Sequence, residues 1–445
     1  MSGLDEHPTV IRHRERAAAA PTLALDAGEL RRICLEAGAD DAGAVAIGRP
    51  ELDPQRDDVL RAYPWTRTLV SLVCRMNREP IRSAARSTAN LEFHRTNEET
   101  DAVARRVVAA LEARGVRAVN PSVGFPMEMD GYPGKIWLVS HKPVAEAAGM
   151  GRMGIHRNVI HPKFGNFILL ATVLIDAEIA EGSQTRPIDY NPCLGCKLCV
   201  AACPVGAIAA DGAFDFSACH NHNYREFNGG FTDWVEQVVE SKDAADYRRR
   251  VGEVETVSMW QSLSFGANYK AAYCMAVCPA GEDVIGPFLD DRKGFLNTVV
   301  DPLRDKAETL YVVPGSDAEA YAARRFPHKP RRRVHNGARA RSAAQLFRVL
   351  PVAFQRGRSE GLDATYHFAL AGEGATEATV VIRDRTIRVE AGLVGEPDLV
   401  VSGDAPTWVG FVRKERSLFW ALLRRKIRLK GDPRLLLAFG RCFPS

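Results

Sequence analysis

The stretch Cys193–Ile208, CLGCKLCVAACPVGAI, sets four cysteines at intervals of two, two and three residues, with Pro204 directly after the fourth. Thiolates this close along a chain converge when the backbone turns tightly around them, and a C-x2-C-x2-C-x3-C-P run is an iron–sulfur signature whose fourth cysteine serves a second cluster. A zinc site usually pairs two C-x2-C knuckles and does not ask for three closely spaced cysteines followed by C-P. Cys193, Cys196 and Cys199 hold three corners of a [4Fe–4S] cube, and AAYCMAVCPAG supplies the fourth as Cys278 in a second C-P context. Cys203 is left for a second cluster, with Cys274 and, from FSACHNHNYREF, Cys219. A regular second run has a cysteine where this chain has Ala271, which carries no donor atom. Three readings stay open: a [3Fe–4S] second cluster, a corner filled by a non-cysteine ligand such as His220, His222 or Tyr273, or no second cluster.

The whole chain, 445 residues with 46% hydrophobic and 26% charged residues, is long enough for two or three ordinary globular domains. Its net charge of +4 argues against a dedicated nucleic-acid binder. No stretch approaches the ~20 apolar residues of a membrane span, and the N-terminal MSGLDEHPTVIRHRERAAAAP lacks the apolar centre of a secretory signal. Seven of the ten cysteines fall in the cluster-like runs, which fits a reducing compartment, so the chain reads as cytoplasmic. Cys34, Cys74 and Cys442 sit in the apolar contexts RRICLEAGA, LVSLVCRM and FGRCF and read as small buried hydrophobes.

After an N-terminal extension (1–25), residues 26–188 alternate helix-like and strand-like segments. DAGELRRICLEAGADDAGAVAI runs from helix to strand, TRTLVSLVCRM is β-rich, NEETDAVARRVVAALEARGVRAVN is a helix with a strand behind it, and GNFILLATVLID is a buried strand. Such alternation predicts an α/β domain whose sheet is covered by helices. Residues 189–325 form the cluster region. At 326–343 the basic FPHKPRRRVHNGARARS interrupts the apolar pattern and reads as a solvated linker rather than a nucleic-acid or anionic-membrane patch. In 344–445, ATYHFALAG, ATVVIRDRTIRVEAG and PDLVVSGDAP alternate as strands do. The following helix, around Trp408, Phe411, Leu418, Phe419, Trp420, Leu422 and Leu423, is rich enough in bulky groups to be either core or the wall of an apolar pocket.

Two resemblances follow from these residues. Through TVVIRDRTIRVEAG, PDLVVSGDAPTWVGFV and ALLRRKIRLKGDPRLLLAF, the last unit resembles a sterol carrier protein 2 domain. That resemblance implies an α+β fold, a five-stranded sheet with helices enclosing an apolar tunnel for acyl chains, sterols or other lipophiles. Through AEAAGMGRMGIHRNVIHPKFGNFILLATVLID, Ala145 to Asp176, followed by the two cysteine runs, the first three hundred residues resemble the epoxyqueuosine reductase and reductive dehalogenase group of corrinoid-dependent iron–sulfur reductases. The resemblance implies a nitroreductase-like α/β domain joined to a bacterial ferredoxin-like 4Fe-4S module. It also implies a cobalamin pocket built with Gly149, Gly151, Gly154 and the turn from His161 to Gly165, where glycine would let backbone approach a flat macrocycle. Asp130 or Tyr132 of MDGYPG is the implied proton donor. Three departures stand out: extra residues between Asp130 and Gly149, Ala271 in a cysteine position, and no twin-arginine signal of the kind dehalogenases commonly carry.

The resemblances together imply a corrinoid-dependent reductase of an electrophilic substrate, lipophilic or halogenated, with Co(I) as nucleophile and a nearby acid giving the proton. Its electrons would come from a ferredoxin, flavodoxin or reductase, and the C-terminal domain would hold a lipophilic small molecule. The rival readings are a ferredoxin-like electron carrier without corrinoid that serves a partner reductase, and a redox-sensing lipid-binding protein.

Overall fold

Asp26 caps helix α1 (Ala27–Glu36) by accepting from the Gly28 N–H. The chain then makes strands β1 (Asp41–Ala46) and β2 (Thr68–Arg75), helix α2 (Arg86–Glu112), the short strand β3 (Ala118–Val119), helix α3 (His141–Ala147) and strand β4 (Ile168–Ile175). The computed structural model describes residues 5–18, 25–131, 135–180, 185–336, 340–413 and 415–444. The four strands pair in the order β1-β2-β4-β3, antiparallel at every step. The mixed α/β content agrees with the sequence, but the sheet is not the parallel one that alternating helices and strands often build. Residues of β2 are buried on both faces: Val70, Leu72 and Cys74 pack with α1 and α2, while Leu69 and Val73 pack with α3. Cys34 and Cys74 lie in that core, as their apolar contexts predict.

The cysteine-bearing region is a set of short helices: α4 (Leu198–Ala202), α5 (Phe216–Asn223), α6 (Asn228–Glu240), α7 (Glu253–Phe265) and α8 (Tyr273–Ala276). Arg225, just after α5, is buried and pairs with Asp233 of α6 and Glu255 of α7, each at 2.6 Å, which pins the two longer helices to the end of α5. Strand β5 (Leu310–Val312) and helix α9 (Asp317–Arg325) follow.

The basic stretch after α9 corrects the expectation of a solvated linker. Its Arg331–Arg333 form strand β6, parallel to β5. Lys329 is only 2% exposed and its Nζ lies 2.8 Å from Glu308 Oε1, Arg332 pairs with Glu255 at 2.5 Å, and Phe326 and Val334 are buried. The cations are there because buried carboxylates on the cluster region need partners. Residues 337–339 of this stretch lie outside the described residues.

The C-terminal unit comprises α10 (Ala343–Ala353), strands β7 (Ala364–Ala371), β8 (Thr376–Arg383), β9 (Thr386–Ala391) and β10 (Leu399–Asp404), helices α11 (Ala405–Val412) and α12 (Leu418–Leu423), strand β11 (Ile427–Gly431) and helix α13 (Arg434–Arg441). Its five-stranded sheet runs β9-β8-β7-β10-β11, with β7 and β10 parallel and the other pairs antiparallel. Cys442 is fully buried behind α13. The helix rich in bulky groups is two helices, and they divide the stripe. Trp408 on α11 is core, its ring 5.4 Å from both Phe368 and Phe411, whereas Phe419, Trp420 and Leu423 on α12 are more than half exposed. They therefore do not wall one pocket together. Gln355, just after α10, joins this unit to the cluster region by donating to Asp215 Oδ2 at 3.3 Å, and Arg356 pairs with Asp211 at 2.6 Å. Among the described residues no helix is long and apolar enough to cross a membrane.

Candidate functional site: two cysteine groups and a neighbouring cavity

Gly195 and Lys197, both at φ +63°, curl the chain between Cys193 and α4. The result brings Cys193, Cys196, Cys199 and, from the end of α8, Cys278 to the wall of one small cavity, which Ile155 and His156 of the N-terminal domain also line. Cys196 is exposed, Cys193 partly so, and Cys199 and Cys278 are buried. Burial pushes the Cys278 thiol up to about 12, with Cys196 and Cys193 adding to the rise and the Ala280 N–H opposing it. Unligated, such thiols stay protonated, so binding iron means displacing protons. Among the described residues no three Cys, His, Asp or Glu side chains are grouped to hold a single ion. Four thiols around a cavity are the donor set of a four-cysteine cubane.

The second group is Cys203, Cys219 on α5 and Cys274 on α8, each raised by burial. Cys219 and Cys274 pack against the buried core that contains Cys203, and Cys274 and Cys203 are the strongest charge partners of Cys219 after burial. Cys203 Sγ accepts from the Ala207 N–H at 3.3 Å, in a turn that places the N–H groups of Val205, Gly206 and Ile208 around the same sulfur. Such N–H donors offset the negative charge of a ligated thiolate. Ala271 is buried beside this group, and Asn223 Oδ1 accepts from both its N–H (3.0 Å) and that of Ala272 (2.7 Å), holding Ala272 at φ +51°. Asn158 approaches from the N-terminal domain with Nδ2 3.9 Å from Cys274 Sγ, and its Oδ1 accepts from the Lys142 ammonium at 3.3 Å.

The residues that the resemblance assigns to a cobalamin pocket do something else here. A Cβ on Gly149 would lie 2.5 Å from Arg186 O, on Gly151 2.3 Å from Ile160 O, and on Gly165 2.1 Å from Ala280 O. Gly154 is closed off by the side chains of Ile160 and His156. The close approach these glycines permit is to the protein's own backbone, so they offer no open face to a macrocycle. His161 is buried, accepts from the N–H groups of Lys163 and Phe164 through Nδ1, and meets Asp41 Oδ2 at 3.1 Å through Nε2. It holds its own turn and is not aimed at a ligand. What the segment builds is the seat of the first cysteine group: Gly165 abuts Ala280, and Ile160 packs with Cys278 and Ala280.

A cavity of about 600 Å³ lies elsewhere, between α2 and the loops on either side of residue 130, and Asp101, Arg105, Ser122, Phe125, Glu128 and Trp137 are among its walls. Asp130 is exposed outside it, and Tyr132 lies outside the described residues. Of the two acids in the cavity wall, Glu128 is exposed and Asp101 is half-buried. Burial raises its carboxyl above the usual range, while the Val123 N–H bonded to Oδ1 at 3.2 Å opposes that rise. Nothing in the sequence separates Asp101 from the other charges of α2; only the loop folded over it does. At the cavity's lip Phe125 stacks on Phe227 with centroids 6.0 Å apart, and Phe227 meets Tyr224 at 5.2 Å. Burial pushes the Tyr224 phenol up, with Cys219 and Cys274 among the causes, so this row of rings ends beside the second cysteine group.

The sequence has relatives that share parts of this arrangement. The 4Fe-4S binding domain family matches residues 186–209, and the SCP-2 sterol transfer family matches residues 347–444. The epoxyqueuosine reductase of Vibrio cholerae is 26% identical over 263 residues, covering 57% of this chain and 62% of that one. The epoxyqueuosine reductase of Gloeobacter violaceus is 26% identical over 170 residues, covering 38% and 49%. The chain thus spans less than two thirds of the length of these relatives. Among solved structures, epoxyqueuosine reductase from Streptococcus thermophilus overlaps 67% of this chain and 80% of its own at 15% identity and a TM-score of 0.35, and a catabolic reductive dehalogenase overlaps 62% and 34% at 15% identity and 0.38. The chain joins an epoxyqueuosine reductase-like region carrying a 4Fe-4S binding domain to a C-terminal domain of the SCP-2 sterol transfer family.

Proposed function

We propose that the protein is a cytoplasmic iron–sulfur oxidoreductase that reduces an electrophilic substrate in the cavity bounded by Asp101, Arg105, Phe125 and Trp137, with the C-terminal domain holding a lipophile. The observation that carries this reading is the row Phe125, Phe227, Tyr224, whose ring centroids lie 5 to 6 Å apart and whose last phenol is raised by burial with Cys219 and Cys274 among the causes. Iron–sulfur clusters, when held by these thiols, supply electrons one at a time. The exposed Cys196 loop is where a ferredoxin, flavodoxin or reductase would approach. Asp101, whose carboxyl burial raises and whose Oδ2 is the oxygen not bonded to the Val123 N–H, is the proton donor in place of Asp130 or Tyr132. Arg105, one turn further along α2, faces the same cavity and orients a polar or anionic group of the substrate. Phe125 and Trp137 exclude water from the apolar side.

The nitroreductase-like and corrinoid parts of the reading rest on resemblance. Gly149, Gly151, Gly154, His161 and Gly165 do not fit a corrinoid, and that favours the second reading, an electron-transfer protein without one. The deciding experiment is an optical and EPR spectrum of the anaerobically purified protein with and without added hydroxocobalamin. The reductase reading with a corrinoid expects shifted visible bands and retention of the cofactor on gel filtration. A spectrum equal to free cobalamin leaves the corrinoid out, and Asp101→Asn then reports on the cavity through loss of substrate reduction. Lipid binding is read by mass spectrometry of whatever co-purifies with the full chain, and the absence of any acyl or sterol species, with no uptake of a fluorescent fatty acid, removes that part of the proposal.

A further inference from the structure

The second cysteine group is short by one thiol, and of the side chains around the gap only His222 keeps a buried ring nitrogen, Nε2, without a hydrogen-bond partner among the described residues. Ala271 stands in the corner position, 5% exposed, with its N–H tied to Asn223. Tyr273 turns its phenol away to donate to Glu308 at 2.8 Å. His222 Nδ1 accepts from the Tyr311 N–H at 3.4 Å, which puts the proton of the neutral ring on Nε2, where it is buried without a hydrogen-bond partner and leaves no lone pair for iron. His220 lies between the rings of Phe216 and Tyr224 and is bonded to Asn228. Asn158 presents Cys274 with an amide N–H, which is a donor and not a ligand.

We infer that the second site is a three-thiolate centre: Cys203, Cys219 and Cys274 hold three irons, and the corner at Ala271 takes a ferrous ion that no side chain retains. The inference rests on the iron–sulfur reading above and deepens it. The exchange balances as [3Fe–4S]+ with Fe2+ and one electron giving [4Fe–4S]2+, the electron coming from a one-electron reductant of the flavodoxin or dithionite class. Loss of one electron reverses it and releases the same ion. The outer ligand at that iron is hydroxide, water or a small thiolate from solution, so the corner is also open to an oxygen or sulfur donor of small size.

The test uses the full chain, purified anaerobically, then oxidised with ferricyanide in the presence of EDTA. The expected result is about seven irons per chain and the spin-half EPR signal of an oxidised three-iron cluster. Ferrous ammonium sulfate with dithionite should erase that signal and bring the count to about eight. Ala271→Cys should keep the last iron through the same oxidation and show no three-iron signal; if that variant does not fold, the wild-type titration decides by itself. Wild-type protein that retains about eight irons through oxidation and chelation, with no three-iron signal, would overturn the inference, because a side chain must then fill the corner. About four irons and one signal would overturn it as well, since no second centre exists. A chain without iron under any reconstitution would sink the iron–sulfur reading along with it, an outcome distinct from the other two.

Discussion

The two cysteine groups are built by different means. Cys193, Cys196, Cys199 and Cys278 ring a cavity that is finished by the N-terminal domain: Ile155 and His156 line it, and Gly165 supports the Ala280 loop behind Cys278. Cys203, Cys219 and Cys274 are held by helices and turns of their own region, with Asn223 pinning the backbone at the vacant corner. One site therefore has four cysteines but depends on docking between domains. The other has three cysteines, its backbone is held from within its own region while Asn158 reaches Cys274 from the N-terminal domain, and it is the one that the ring row leads to from the large cavity. Electrons would enter where Cys196 is exposed and leave where the donor set is unusual.

Several substitutions can break or sharpen this contrast. The largest effect belongs to Cys196→Ala, which should remove roughly half of the iron and one reduced EPR signal while the second site keeps its own. Loss of both signals would mean that the two groups do not fill separately. Gly165→Val comes next, since a side chain at φ +65° and 2.1 Å from Ala280 O must move the loop that carries Cys278, at a cost of about 4 kcal/mol or more. Iron should fall at the first site alone. Unchanged iron together with lost hydroxocobalamin binding would show instead that this turn faces a macrocycle.

Asn223→Ala acts on the other group. It leaves two buried N–H groups without their acceptor, about 3–4 kcal/mol in sum, and frees Ala272 from its left-handed conformation. Iron at the second site should become more labile to chelators while the first site is untouched, and equal lability at both would refute local support. The smallest effect is expected at Asp215, which caps α5, the helix of Cys219, and whose carboxyl burial raises to about 6. Because the folded state favours the protonated acid, its contribution to stability is whole below pH 4 or so and is lost as pH rises through about 6. Asp215→Asn keeps the cap and should flatten that loss, with a gain of at most about 3 kcal/mol at pH 7.5 relative to pH 4. Thermal melts of both proteins across this range check it, and parallel pH profiles would rule the assignment out.

Local chemistry was the legible part of this chain. Cysteine spacing is set by tight turns, so four cysteines of one cavity could be grouped from the sequence, and the period-two alternation of 364–404 was read as three strands where the second is a hairpin of two. What the residues could not disclose was which surface meets which. A glycine signals that something comes close, and at Gly149, Gly151 and Gly165 the visitor is a carbonyl of the same chain rather than a cofactor. The antiparallel order of the N-terminal sheet depends on pairings such as Thr68 with Ile175, far apart in sequence. Asp101 is one acid among many on a long helix until a distant loop closes over it. Likewise, a run of arginines looks solvated when the carboxylates it neutralises are out of view.

That run bears on modularity. Lys329 and Tyr273 share the carboxylate of Glu308, one on each oxygen at 2.8 Å, so a lysine of the apparent linker stands two contacts from the residue preceding Cys274. Cutting the chain at 326 would strand a buried anion, at about 3–5 kcal/mol, next to a cluster ligand. The C-terminal module is thus grafted through a strand of its host rather than strung on a tether, and a chimaera that exchanges the module between relatives has to leave 308–334 with the cysteine-bearing half.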